Sequence, residues 1–188
     1  MGTTACVVLI TPTEIYCANA GDSRAILSQG TSTFDLSDDH KPDNEDERIR
    51  IEAAGCDVSD GRVAGKLSLS RAIGDLAYKQ NPNLSVDSQA ITCVPDVTKR
   101  ARSADDGFLF IACDGVWDVL TSAEGAQYIK EVREENPGSN TPHKILESLF
   151  DDIICEDIED QSAVVGGSDN MSAILIEFTP VEASSSAD

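Results

Sequence analysis

Short apolar runs rich in β-branched residues open this sequence, and turn residues separate them at close intervals. Runs of this length and composition are typical of β-strands. Four of them follow one another, over residues 4–10, 15–20, 24–28 and 32–36. Because connections this short join antiparallel neighbours, the segment is predicted to be a four-stranded antiparallel meander.

One helix is predicted after the meander. Asp43 is placed as its N-cap, acidic residues fill the first turn, and Gly55 is a natural stop. Its apolar face is predicted to contain Ile49, Ala53 and Ala54, and the orientation of Ile51 is left open.

Further strands are predicted beyond an irregular polar segment that ends near residue 88. They cover residues 89–93, 96–100 and 108–113, of which the last is the most apolar run in the chain. Thr121 and Glu124 have the spacing of a capping box, which predicts a helix to about residue 134.

Pro142 is predicted to begin the next helix, since proline favours the first helical turn. Helical spacing places a set of large apolar side chains on one face: Ile145, Leu146, Leu149, Phe150, Ile153 and Ile154. A last strand is predicted over 171–178 and a disordered tail over 181–188. This order of elements predicts an α+β fold, with the two final helices packed as an antiparallel pair on a sheet face.

Aspartates follow or precede several of the apolar runs. Asp114 comes directly after residues 108–113, and Asp169 lies just before the last strand. If these two strands are antiparallel neighbours, both carboxylates reach the same edge of the sheet. Asp22 also lies just past a strand end, and Asp118 is one helical turn beyond Asp114.

Converging carboxylates repel one another and are stabilised by a cation between them. Oxygen donors of this kind suit hard divalent ions, so Mg²⁺ or Mn²⁺ is the predicted ligand. The alternative is that Asp-Gly pairs are ordinary turn formers without a site. The pattern alone does not decide between the two.

Charge excludes several classes of partner. The chain has 34 acidic and 14 basic residues among 188, a formal charge of −20. Nucleic acid and anionic membrane surfaces attract basic proteins, so neither is an expected partner, whereas cations and basic partners remain open. No apolar stretch approaches the roughly 18 residues of a membrane span, so no membrane insertion is expected.

Cysteine usage indicates a reducing compartment. The chain has 6 cysteines, none in a Cys-x-x-Cys pair, and most lie within apolar runs. Buried, reduced thiols are therefore expected, in an intracellular protein of the cytoplasm or nucleus without a signal peptide.

Five motifs in order resemble the metal-dependent serine/threonine phosphatases of type 2C, the PPM family. They are Gly21-Asp22-Ser23-Arg24, Asp39-His40-Lys41-Pro42, the stretch from Leu69 to Asp75, Ala112-Cys113-Asp114-Gly115-Val116-Trp117-Asp118, and Asp169-Asn170-Met171-Ser172. The resemblance extends from Gly2 to Phe178. It implies two stacked antiparallel β-sheets flanked by helices, with two Mg²⁺ or Mn²⁺ ions at one edge and metal-activated water as nucleophile.

The resemblance assigns roles to individual residues. Asp114 and Asp169 resemble the family's metal ligands, while Asp22 and Asp118 resemble ligands of a weaker third ion. Asn170 is expected to support the metal ligands without binding the ion itself. Arg71 lies in the segment resembling the flap that influences substrate choice, whereas His40 and Trp117 are interpreted as structural.

The family's Asp-Gly-His-Gly-Gly motif, its phosphate-binding arginine and its bridging aspartate precede the point that Gly2 matches. Residues 1–180 are therefore interpreted as an N-terminally truncated catalytic domain, a fragment that acts on phosphorylated proteins in its complete form and is inactive alone. A non-catalytic, pseudophosphatase-like binding module is the alternative. An unrelated acidic cation-binding protein is disfavoured, because no EF-hand loop occurs.

Overall fold

The computed structural model describes residues 1–135, 141–154 and 167–179. Two antiparallel sheets dominate it, one of four strands and one of three. The strands are β1 (Gly2–Thr3), β2 (Ala5–Ile10), β3 (Glu14–Ala20), β4 (Arg24–Gln29), β5 (Ser32–Asp35), β6 (Val58–Ser59), β7 (Arg62–Val63), β8 (Ile73–Gly74), β9 (Asp96–Ala101), β10 (Asp106–Ala112) and β11 (Ala173–Glu177). The helices are α1 (Glu45–Ala53), α2 (Asp114–Trp117), α3 (Ser122–Glu135) and α4 (Pro142–Ile153).

The two sheets face each other and enclose one core. Strands β11, β10, β4 and β5 form the larger sheet in that order, and β2, β3 and β9 form the smaller one. Alternation along β10 divides its side chains between two layers. Leu109 packs against Ile15 and Leu27 between the sheets, whereas Phe108 and Phe110 face the helices. The predicted α+β sandwich with flanking helices is confirmed.

The predicted meander is confirmed in the antiparallel pairing of β2 with β3 and of β4 with β5, but it is wrong in pairing β3 with β4. Its strands occur, but β3 pairs with β2 and β9, while β4 pairs with β5 and β10 in the other sheet. The chain changes sheets at Gly21, whose φ of +128° is a conformation that other residues rarely adopt. The short connection between β3 and β4 therefore joins strands of the two different sheets instead of two paired strands of one sheet.

Residues 89–93 do not form the predicted strand. A single bridge joins Thr92 to Arg71, and the side chains of Gln89 and Thr92 bind nearby backbone carbonyls instead. Ile91 is fully buried in a small core with Ile51 and Val63. Burial in this core thus explains why residues 89–93 contain an apolar run without forming a strand. The predicted strand over 96–100 is confirmed as β9.

The two final helices cover the outer face of the larger sheet. Ile129 of α3 and Ile145 and Leu149 of α4 pack on Phe108 and Phe110. The capping box is confirmed, since the Thr121 and Glu124 side chains each bind the other's backbone N–H. Helix α4 begins at Pro142 as predicted.

Ile154 is the one predicted member of the α4 face that leaves it. Its side chain is 52% exposed because the helix ends at Ile153 and the backbone becomes extended.

The loop residues 136–140 and the tail 181–188 lie outside the described residues, and so does Cys155. The other five cysteines are free thiols, but Cys93 is exposed, contrary to the predicted burial.

Helix α1 differs from its prediction at both its cap and its face. Asn44 precedes the first turn, and Asp43 instead pairs with Arg48. Ile49 is 59% exposed and Ile51 is fully buried. The helix has this orientation because the face that packs against the protein carries Glu47, which is buried and pairs with Arg50 and Arg71.

Two isoleucines on α1 give a matched test of this orientation. Ile51→Ala is expected to lower the free energy of unfolding by about 2–5 kcal/mol, because it leaves a cavity among buried side chains. Ile49→Ala is expected to change it by less than about 0.5 kcal/mol. Urea unfolding of both variants is the measurement, and equal losses would contradict the orientation.

Candidate metal centre

The edge of the larger sheet brings Asp114 and Asp169 together. Strands β10 and β11 are antiparallel neighbours, with Ala112 opposite Ala173. Asp114 therefore begins α2 beside the segment that enters β11. The condition on which the sequence placed both carboxylates at one sheet edge is therefore met.

Cys113 and Gly115 fix the distance between the two segments. The Cys113 thiol donates to the Asn170 carbonyl at 3.3 Å and accepts the Ser172 N–H at 3.2 Å. A Cβ at Gly115 would lie 2.4 Å from the Asn170 carbonyl oxygen, so only glycine permits this approach. The Asn170 N–H donates to Asp169 Oδ1 at 2.6 Å and orients that carboxylate.

Asp22 reaches the same edge from the turn between the two sheets. It is 2% exposed, and Lys41 Nζ donates to its Oδ2 at 2.8 Å. The same ammonium lies 3.8 Å from Oδ1 of Asp118, whose side chain is 62% exposed. Lys41 therefore links the carboxylates that follow β3 and α2.

The charges of the other three aspartates act on Asp114. Burial raises the pKa of Asp114 above its usual range, and the negative charges of Asp22, Asp118 and Asp169 raise it further. Lys41 opposes this effect. For Lys41 itself, burial lowers the pKa, but the hydrogen bond and charge of Asp22 and the charges of Asp118 and Asp114 raise it overall. A cation bound beside Asp114 would therefore stabilise its charged carboxylate.

The donor chemistry of these side chains fits Mg²⁺ or Mn²⁺, which prefer carboxylate oxygens and retain waters. Within the described ranges, however, no three His, Cys, Asp or Glu side chains form a group able to hold one metal ion. The aspartates are close enough to influence one another's charge without enclosing an ion. They therefore fit as part of a coordination shell.

The Arg71 guanidinium pairs with carboxylates outside the group of four aspartates. It binds Glu47 at 2.8 Å and Asp96 at 2.7 Å, and the Arg71 side chain is 14% exposed. His40 is buried, accepts the Gly21 N–H at Nδ1 and binds Asp96 through Nε2 at 3.0 Å.

Trp117 packs in the core against Phe110, with ring centroids 5.1 Å apart, as predicted. Sequence reasoning missed Lys41 and Glu47. Lys41 is adjacent to His40, and the sequence pattern indicates only a structural role for that motif. Glu47 is one of three acidic residues in the first turn of α1, and the local pattern does not distinguish it as the buried one.

No helix among the described residues is long and apolar enough to cross a bilayer.

The sequence of this chain is similar to known protein phosphatases. Residues 1–162 match the family model described as protein phosphatase 2C. "Probable protein phosphatase 2C 6" of Paramecium tetraurelia is 44% identical over 177 residues, covering 94% of this chain and 58% of that protein. "Protein phosphatase 1G" of Homo sapiens is 43% identical over 183 residues, covering 95% of this chain and 33% of that protein.

A solved structure shares the fold. A phosphatase from a pathogenic strain of Toxoplasma gondii superposes with a TM-score of 0.75 at 32% identity, over 88% of this chain and 48% of that one. The chain thus spans about half, or less, of the length of these relatives. The family model, which covers most of the chain, and the shared sandwich show that this chain belongs to the protein phosphatase 2C, or PPM-type, family of protein serine/threonine phosphatases.

Proposed function

We propose that this chain is the larger part of a catalytic domain that hydrolyses phosphoserine and phosphothreonine in proteins. The observation that carries the proposal is the convergence of Asp114, Asp169, Asp22 and Asp118 at one sheet edge of a PPM-type fold. Phosphorylated proteins inside the cell are the proposed substrates.

Asp114 and Asp169 are the proposed ligands of Mg²⁺ or Mn²⁺, and Asp22 and Asp118 those of a weaker ion. Such ions, when bound, lower the pKa of a water ligand and neutralise charge on phosphoryl oxygens. The chain's own contribution is positioning. Cys113 and the backbone of Asn170 hold the first two carboxylates at a fixed separation.

Arg71 is proposed to act on substrate choice through the segment that carries it. Its contacts with Glu47 and Asp96 leave the guanidinium engaged, so it holds the backbone of residues 70–72 in place. Arg24, which is nearer the aspartates in sequence, is likewise paired with Asp39 at 2.8 Å. Neither arginine is therefore the proposed phosphate-binding group.

A non-catalytic binding module is the second candidate. It is favoured by the incomplete ligand set within the described residues and by Lys41, which already neutralises Asp22. The two candidates differ in whether a longer form, with a segment carrying the family's Asp-Gly-His-Gly-Gly motif, is active.

Residues 1–188 alone are expected to show no Mn²⁺-dependent hydrolysis of p-nitrophenyl phosphate or a phosphothreonine peptide. Phosphoryl transfer depends on positioning and charge stabilisation, and one part of the ligand set supplies too little of either. The longer form is expected to be active under the same conditions. Turnover by residues 1–188 that Asp114→Ala removes would contradict the proposed ligand shortage, and an inactive longer form would favour the binding module.

A further inference from the structure

Lys41 is held next to the aspartates by the residue that precedes it. The His40 backbone N–H donates to the Gly21 carbonyl at 3.0 Å, and His40 Nδ1 accepts the Gly21 N–H at 3.1 Å. His40 is 3% exposed, so this clamp is buried. It fixes the backbone of residues 39–42 against the turn that carries Asp22.

The Lys41 ammonium lies between two carboxylates from different parts of the chain. Nζ is 2.8 Å from Asp22 Oδ2 and 3.8 Å from Asp118 Oδ1. A buried carboxylate such as Asp22 needs a counter-charge, since removing it from water is otherwise costly. The chain supplies that charge itself.

We propose that Lys41 is a tethered cation that competes with a divalent ion for the Asp22–Asp118 pair. A divalent ion binds this pair only when the Lys41 ammonium moves away. The inference rests on the proposed function, which assigns Asp22 and Asp118 as ligands.

The geometry allows the ammonium to leave. The Lys41 side chain is 35% exposed, and a lysine has a flexible four-carbon stem that carries a strongly hydrated point charge. Its contact with Asp118 is the longer of the two and faces solvent. Among the described contacts Lys41 makes salt bridges with Asp22 and Asp118 but with neither Asp114 nor Asp169, so ion binding at the latter two is expected to be affected less.

Mn²⁺ titration of residues 1–188, followed by electron paramagnetic resonance of the free ion, tests the proposal. Lys41→Met keeps the length of the stem and removes its charge, and it is expected to tighten Mn²⁺ binding by about tenfold, because a unit charge within 4 Å of the site is removed. Lys41→Arg keeps the charge and is expected to bind like the unchanged chain. Adding Asp22→Asn to Lys41→Met is expected to abolish the gain.

Thermal melts of each variant establish that the fold is retained, and Lys41→Gln is the second neutral variant if Lys41→Met unfolds. Mn²⁺ binding that is unchanged, weaker or absent in the neutral variants would overturn the proposal. Asp169→Asn separates this failure from that of the proposed function. If this variant binds Mn²⁺ as well as the unchanged chain, the ligand assignment itself is wrong; if it binds less while Lys41→Met has no effect, only the role of Lys41 is wrong.

Discussion

Asp114→Ala is expected to reduce the phosphatase rate of an active longer form by roughly a thousandfold or more. Asp114 interacts with the charges of Asp22, Asp118 and Asp169, so its removal takes the central carboxylate out of the cluster. Initial rates with a phosphothreonine peptide at saturating Mn²⁺ are the measurement.

Asp105→Ala is the matched control, because Asp105 lies on an exposed turn at the far end of β10. Its rate is expected to equal that of the unchanged protein. A rate retained within a few fold in Asp114→Ala would remove this residue from the site. Loss of rate together with a lower melting temperature would call for Asp114→Asn, which preserves the shape of the side chain.

Glu47→Ala is expected to lower the free energy of unfolding by about 3–5 kcal/mol, the cost of removing one partner of a buried ion pair. Glu47 is 3% exposed and accepts hydrogen bonds from Arg50 at 2.7 Å and Arg71 at 2.8 Å. The Arg50 and Arg71 side chains are each 14% exposed, so both guanidiniums would lose this partner while largely buried. Urea unfolding at pH 7 measures the loss, with the exposed Glu52→Ala on the same helix as control.

Glu47 also predicts how stability depends on pH. Burial alone would raise the pKa of its carboxyl, but the hydrogen bonds from Arg71, Arg50 and Ser70 outweigh it and lower the pKa from 4.5 to about 2. Because the folded-state pKa is the lower one, the stabilisation is complete above pH 4.5 and is lost as the pH falls toward 2.

The expected size of that loss is about 3 kcal/mol, from the shift of the Glu47 pKa. Glu47→Gln should lack this part of the pH dependence, since glutamine does not titrate. Unfolding free energies of both proteins between pH 5 and 2 give the difference directly. Parallel curves for the two proteins would contradict the ion-pair account.

Local patterns predicted most of the elements correctly. Proline at the start of α4, the capping box of α3 and the apolar run of β10 each depend on residues a few positions apart. The expected approach of Asp114 to Asp169 was conditional on the pairing of β10 with β11, and the structure shows that pairing. The proline, the capping box and the apolar run depend on short-range chemistry, which the order of residues specifies directly.

Pairings over longer distances in the chain were missed. Alternation shows which side chains of β3 and β4 share a face, but it does not show that Gly21 places these strands in different sheets. The orientation of α1 follows from Arg71, which is 24 residues from Glu47 in sequence. The apolar pattern of α1 alone favoured burial of Ile49 over burial of Ile51.

The sequence by itself determined the strand and helix types, the excess of acidic charge and the aspartates at the strand ends. Only the tertiary structure decided which basic side chains neutralise the negative charge of those aspartates. Lys41 contacts Asp22 across 19 residues of chain and Asp118 from another element, and Arg71 is engaged by Glu47 and Asp96. Ion pairs depend on distances in space, and packing of the two sheets and α1 sets those distances.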